Sequence, residues 1–487
     1  MRKRFEPQLI IGQLPISETP VPLKCRDSLP RLIAALKEIF TNNEWNEKVF
    51  TILEGKITVN KKKTGRHGMD LWQIFVLAQV RLCLNIGYDR LHYIANYDKL
   101  IRQLMGVETE FGYEKKEFEY QNILDNVSLL DDKTVRELNE VIVAFGHSVF
   151  KKKDTEPLRL KTDSFVVESN VHFPTDYNLL WDCARKGLDM VSAFLKKYSE
   201  IPEWRKIENW YDELKNMMRT LGRVSVCGGK GKEQRVKDVT KKYLKKARAL
   251  KIKLEKGKTI FPIQDKTDMF LHLELQRYMD LLDKHIELVN RRLLKGEDIP
   301  HHEKMFSIFE DYTEWITKGK SHPNVELGKN TAITSDQYHL IVDYLVMDHE
   351  SDPKIVIPLV ERITKKYQVW SWSFDRGFWL KENKQKLRQM ISEAIMPKKG
   401  KKNTLESEEE NQRIFRRLKN KHSAIESNIN ELEHRGLDRC PDRGYEHFKR
   451  YVGLAVCAYN LRRIGQKLLE QKRAEMNSLA KSGKIAA

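Results

Sequence analysis

The placement of two strand-like segments constrains this chain more than anything else in it. Leu158-Arg159-Leu160-Lys161-Thr162-Asp163 alternates apolar and polar side chains, and Phe165-Val166-Val167 extends the run. Period-two alternation is the mark of a half-buried strand. The same texture returns at Val369-Trp370-Ser371-Trp372-Ser373-Phe374 and ends at Asp375. Between the two, residues 176 to about 311 read as helix. A hairpin is expected next, with Val325–Thr334 and Tyr338–Met347 on either side of Ser335-Asp336-Gln337. Pro353 to Lys366 reads as a helix with proline near its first turn. A short strand around Ala394–Met396 then precedes a Lys-rich loop at 398–402.

The flanks are helical. Leu29, Ile33, Leu36 and Phe40 share one helix face within residues 28–56, and a second short helix carries Val49 and Leu53. A basic hinge, Lys61-Lys62-Lys63-Thr64-Gly65-Arg66, leads into a helix from Asp70 to Leu84. The turn Asn85-Ile86-Gly87 then enters a short helix with Leu91, Ile94 and Ala95. Helix, turn, helix is compatible with a DNA-binding motif and equally with plain helical packing. More helix spans 119–150. At the far end two long helices cover 408–434 and 445–473, with Gly436 as the stop of the first. The order is helices, strand, long helical block, hairpin, helix, strand, helix pair, with no internal repeat. The fold class is mixed, α+β or α/β, with a helical N-terminal domain over 1–150. A mixed domain over 151–487 is interrupted by helices at 176–320.

Charge narrows the partners. The 487 residues carry 88 Lys and Arg against 69 Asp and Glu, a formal net charge of +19. Such an excess favours a polyanion, since each cation placed on a phosphate releases counterions. Nucleic acid and an anionic membrane both qualify. The most apolar window, Leu71 to Tyr88, is broken by Gln73, Gln79 and Arg81, and a spanning helix needs roughly 20 apolar residues. The N-terminus has too short an apolar stretch for a secretory signal, so a cytoplasmic protein is expected. The six cysteines are scattered, with no C-x-x-C pair, and imply neither a disulfide framework nor structural zinc. Residues 230–258 are strongly basic, a solvated helix or a DNA-facing one. Gly228-Gly229-Lys230-Gly231-Lys232 lacks the pattern of a nucleotide-binding loop.

Three acids stand out by setting. Asp163 lies on the first strand, Asp375 ends a later one where Arg376-Gly377-Phe378 must turn, and Glu426 borders the apolar stripe Ile425, Ile429 and Leu432. Ligand sites gather at such strand ends. Spacing alone does not select these three from the 69 acids.

Longer motifs do. The block Leu160-Lys-Thr-Asp163-Ser-Phe-Val-Val-Glu-Ser-Asn170-Val-His-Phe-Pro174-Thr-Asp176-Tyr-Asn-Leu-Leu180 resembles the first-aspartate block of bacterial insertion-sequence DDE transposases. Phe374-Asp375-Arg376-Gly377-Phe378 is similar to their second-aspartate block. Lys421-His422-Ser423-Ala424-Ile425-Glu426 through Gly436-Leu437 is similar to the third. The tail from Gly453 to Asn460-Leu461 and the stretch Gly65-Arg66-His67-Gly68-Met69-Asp70 also resemble the family. The resemblance implies an RNase H-like catalytic core with a helical insertion after its first strand, and a helical N-terminal domain for DNA binding or dimerisation. It implies that Asp163 is a shared ligand of two Mg²⁺ (or Mn²⁺) ions, with Asp375 on one metal and Glu426 on the other. Glu431 and Glu433 rival Glu426; Glu433, seven residues on, shares its helix face.

Arg376, Lys421, His422 and Arg435 are candidate phosphate contacts. Among Trp181, Trp204, Trp210, Trp315, Trp370, Trp372 and Trp379, one is a candidate base-stacking wedge, with core packing the commoner fate. The function implied is a transposase that binds terminal inverted repeats of double-stranded DNA, cleaves them and transfers strands to a target. It would work in the bacterial cytoplasm at the nucleoid, as a homodimer or higher synaptic oligomer. The alternatives are an RNase H-like nuclease without strand transfer, a non-catalytic DNA-binding relic, and an anionic-membrane protein.

Overall fold

A computed structural model describes residues 2–6, 11–58, 68–110, 116–198, 204, 206–317 and 324–481. The basic hinge at 61–66 and the expected end of the insertion at 320 lie outside the described residues. The chain divides into two compact units, residues 1–170 with 316–487 and residues 171–315.

The first unit opens with helices: α1 (Ser28–Thr41), α2 (Asn43–Ile57), α3 (Leu71–Cys83), α4 (Tyr88–Tyr97), α5 (Lys99–Leu104), α6 (Tyr120–Val127) and α7 (Asp132–Val149). Side-chain caps start several of them. Asp27 accepts from the Leu29 amide, Asn42 from Glu44 and Asp131 from Thr134, each satisfying an otherwise orphaned N–H. Every residue of α3 is buried, including Gln79 and Arg81. Arg81 is tolerated there because Asp442 takes its guanidinium, with Nη1 2.9 Å from Oδ2, while the Tyr88 ring stacks 4.1 Å away. The turn at 85–87 between α3 and α4 forms as expected, with Asn85 at φ 50°.

The sheet follows. Strand β1 (Leu158–Glu168) is central. The chain then leaves for the insertion, whose helices are α8 (Asp176–Lys197), α9 (Ile207–Val226), α10 (Lys232–Ile260) and α11 (Lys266–Val289). It returns through a short strand, β2 (Glu314–Ile316). The hairpin β3 (Glu326–Ser335) and β4 (Ile341–Val346) comes next, then helix α12 (Asp352–Thr364) and strands β5 (Val369–Phe374) and β6 (Glu393–Ile395). β3 lies antiparallel to β1 and to β4, whereas β5 is parallel to β1 and β6 parallel to β5. The order β4-β3-β1-β5-β6 in a mixed α+β unit is that of an RNase H-like core.

The two faces of β1 and β5 differ. Leu158, Leu160, Trp372 and Phe374 pack in one core with Ile355, Val356, Leu359 and Val360 of α12, the helix expected over 353–366. Across that face Trp372 donates its indole N–H to Thr162 at 2.8 Å. The opposite face of the two strands carries the polar residues.

The remaining helices are α13 (Lys381–Met390), α14 (Thr404–Asn411), α15 (Arg413–Leu432) and α16 (Tyr445–Lys481). The single helix expected over 408–434 is thus two. Gln412, at φ −57° and ψ 142°, breaks it, and an Asn403–Glu406 capping box starts α14 upstream. α15 ends at Leu432 in a π turn over Glu433–Leu437, and Gly436 within that turn, at φ 97°, breaks the helical path. α7 packs on α16 and β4, and α1 and α3 on α16, so N-terminal helices and sheet share a core.

Within the insertion unit, Leu188, Phe194, Leu221, Tyr243, Leu250, Leu275 and Leu282 fill the interior between the helices. Among the described residues, no helix of either unit is long and apolar enough to cross a membrane.

Candidate active site

Alternation along β1 puts Arg159, Lys161 and Asp163 on one face, and along β5 it puts Ser371, Ser373 and Asp375 on one face. The parallel register pairs Arg159 with Ser371, Lys161 with Ser373 and Thr162 with Phe374. The pairing ends there, one residue before Asp163 and Asp375, and Asp375 keeps an extended backbone at φ −74° and ψ 168°. Helix α15 lies over this face. Ser373 Oγ and His422 Nδ1 are 2.9 Å apart, and His422 precedes Glu426 by four residues, one helical turn.

Asp375 and Glu426 line one cleft of about 360 Å³, together with Phe374, Arg376, Ile395, Pro397, Lys419, Asn420, His422 and Ser423. Both carboxylates are exposed. Asp163 is half-buried and is not part of that lining; one of its oxygens accepts from the Ser164 amide at 2.7 Å. The rivals to Glu426 lie elsewhere. Glu431 pairs with Arg462 of α16 at 2.8 Å, and Glu433 sits in the π turn, roughly 10 Å further along the helix axis.

The candidate phosphate contacts differ in character. Arg376 and Lys421 are exposed, Arg435 is half-buried in the π turn, and His422 is buried. Burial pushes the His422 pKa down to about 4 despite the nearby Asp375. A neutral imidazole facing β5 presents no charge to a phosphate at pH 7. Its Nε2 is buried without a hydrogen-bond partner. Trp204 and Trp372 are fully buried and Trp181 nearly so, which removes them as wedges, while Trp210, Trp315, Trp370 and Trp379 keep partial exposure.

Sequence reasoning did not single out Arg159, Lys161, Ser373 or Lys419. The signal for the first three was available, since they sit two or four residues before Asp163 and two before Asp375.

Residues 296–461 match the family model described as the transposase DDE domain. That stretch is similar to a transposase DDE domain. The matched stretch includes the sheet from β2 onward, the Asp375–Glu426 cleft and the start of α16, whereas Asp163 lies before it. No curated protein and no solved structure matches the chain.

Hard divalent cations prefer oxygen ligands, and Mg²⁺ commonly takes only one or two carboxylates alongside phosphate and water. Asp375 at the end of β5 and Glu426 on the helix above it offer oxygen donors of the kind such ions take.

Proposed function

We propose that this protein is a transposase that binds the terminal inverted repeats of its own element, cleaves DNA there and transfers the strand to a target. Two Mg²⁺ or Mn²⁺ ions would be held by Asp163, Asp375 and Glu426. What supports this reading is that Asp375 and Glu426, remote in sequence, share one cleft, and that the parallel register of β1 on β5 runs to Thr162 and Phe374, each one residue before Asp163 and Asp375.

When bound, a pair of such ions activates the attacking oxygen and stabilises the leaving one. The chain's own residues position and neutralise. Asp163 and Asp375 are anchored by the strand pair, and Glu426 by a helix whose Ile425 and Ile429 are buried. Buried His422, joined to Ser373, fixes α15 against β5 one turn before Glu426. Arg376 and Lys419 on the cleft wall offer charge to the phosphates of the strand being cut.

Charge in the insertion unit also favours DNA. Residues 239–254 hold no acid, and on α10 Lys246, Lys251 and Lys253 are engaged by Glu213, Asp283 and the Trp204 ring. Among the described residues Lys241, Lys242, Lys245 and Arg248 form no ion pair, and all four are exposed. Lys241, Lys245 and Arg248 recur at helical spacing and form a ridge suited to a phosphate backbone.

The test is cleavage and joining of DNA bearing the element's ends, in Mg²⁺. Asp163→Asn, Asp375→Asn and Glu426→Gln should each lower cleavage on the order of 10³-fold or more, the scale of losing a main electrostatic stabiliser, with end binding retained. Full strand transfer by Asp375→Asn overturns the assignment. Cleavage by the unaltered protein with no joined product points instead to a nuclease.

A further inference from the structure

Beside the carboxylates, the same face of the sheet carries a second hollow. Arg159, Lys161, Ser371 and Ser373 form its floor, Lys421, Ala424 and Ser427 of α15 its roof, and Gln337 and His339 its rim, around about 340 Å³. No carboxylate lines it. Lys161 is 9% exposed and donates to the Asp336 main-chain oxygen at 3.1 Å.

Two acids near the rim, Asp336 and Glu156, have hydrogen-bond partners of their own. One Asp336 oxygen lies 2.7 Å from His147 Nε2, and the other accepts the amides of Tyr338 and Leu340. Glu156 takes the Tyr338 hydroxyl at 2.7 Å and the Gln337 amide at 3.1 Å. His339 on the rim holds φ at 63° without being glycine, strain of a kind that clusters at functional sites. Lys161 lies two positions before Asp163 on β1, a rise of roughly 6.6 Å. Three cationic side chains and several hydroxyls therefore meet next to the carboxylate cleft with no carboxylate in the lining, an arrangement that suits an anion.

We propose that this pocket holds a phosphate group of bound DNA, next along the strand from the one that is cut, with Arg159, Lys161 and Lys421 as its cationic partners. The assignment rests on the transposase reading. It adds a subsite which orients the strand rather than one that reacts.

The test is a coupling cycle on the full-length protein. Duplexes bearing the element's end each carry one neutral methylphosphonate at a position flanking the scissile phosphate, and a further duplex lacks its 5′-phosphate. Kd is measured for each. The unaltered protein should lose about tenfold in affinity at one of these positions, the scale of one charge-assisted hydrogen bond. Lys161→Gln and Arg159→Gln should lose as much on unmodified DNA and nothing further on that one duplex. Which duplex shows the coupling tells an internal diester from a terminal phosphate. Losses that multiply on every duplex overturn the proposal.

Lys161 is buried, so should its variant fail to fold, Arg159→Gln and Lys421→Gln, both exposed, decide the matter on the same criterion. Because the cycle reads binding, it stays informative if cleavage is absent. Absent cleavage with coupling intact would sink the catalytic reading alone, and cleavage without coupling would sink the subsite alone.

Discussion

His285 of α11 shows how one buried side chain makes the insertion unit sensitive to acid. Both ring nitrogens are buried without hydrogen-bond partners. Burial first, and Lys284 second, push its pKa down to about 4, against about 6.5 when the chain is unfolded. Between those values the unfolded state binds the proton and the folded state does not, so stability falls as pH drops from about 6.5 to about 4. The loss approaches roughly 3 kcal/mol if the full shift is realised. His285→Leu should flatten this limb, measured as denaturant midpoints of the insertion's helical signal across that pH range; an unchanged slope counts against the assignment. The Arg81–Asp442 pair poses the opposite case. Burial raises the Asp442 carboxyl, but Arg81 and Arg450 more than offset it and hold it below the usual range. The stability it contributes is complete above about pH 4 and is lost only in stronger acid.

Among the elements, α10 separates its charges by role. Its inward and flanking cations are spent on Glu213, Asp283 and tryptophan rings, while the ridge of Lys241, Lys245 and Arg248 stays exposed. Like charges at i,i+4 and i,i+3 weaken a helix slightly, so the ridge has a cost in the free protein which bound DNA would remove. The triple variant Lys241→Gln, Lys245→Gln, Arg248→Gln should weaken binding evenly across DNA sequences. It should also reduce the slope of log K against log salt by about 1 for each phosphate no longer neutralised. An unaltered slope would mark the ridge as solvated surface. By contrast, Glu233→Gln removes only the partner of Lys237 on the first turn and should leave the slope where it was.

Over the whole molecule, the two ends of the chain close on each other within the first unit. Gly465 of α16 lies so near α1 that an added Cβ would sit 1.7 Å from the Arg31 main-chain oxygen. Gly465→Ala therefore forces α1 away from α16 and should destabilise the first unit by about 1–3 kcal/mol, read as a lower Tm for the unit that contains the tryptophan-bearing β5. An unchanged Tm would show that the helices are not held at this distance. Gly328 plays the same part within the sheet, where a Cβ would meet the Val167 main-chain oxygen at 1.9 Å.

Much of this was written along the chain. Period-two alternation located β1 and β5 because a strand with one face on a core must alternate, and the hairpin and α12 announced themselves by turn residues and by a proline near the helix start. The motif around Asp375 and Glu426 pointed to the transposase domain. Other features are relations between distant segments, which local pattern does not carry. The break at Gln412 lies among good helix formers with neither glycine nor proline, so propensity alone could not find it. Burial of His422 arises from its meeting with Ser373, and the pairing of Arg81 with Asp442 joins residues 361 apart. The union of the N-terminal helices with the sheet likewise depends on α16 returning past both. Local chemistry along the chain determined which stretches become strands and helices; only tertiary packing decided which charges are buried, paired or left for a ligand, because desolvation depends on neighbours brought together by the whole fold.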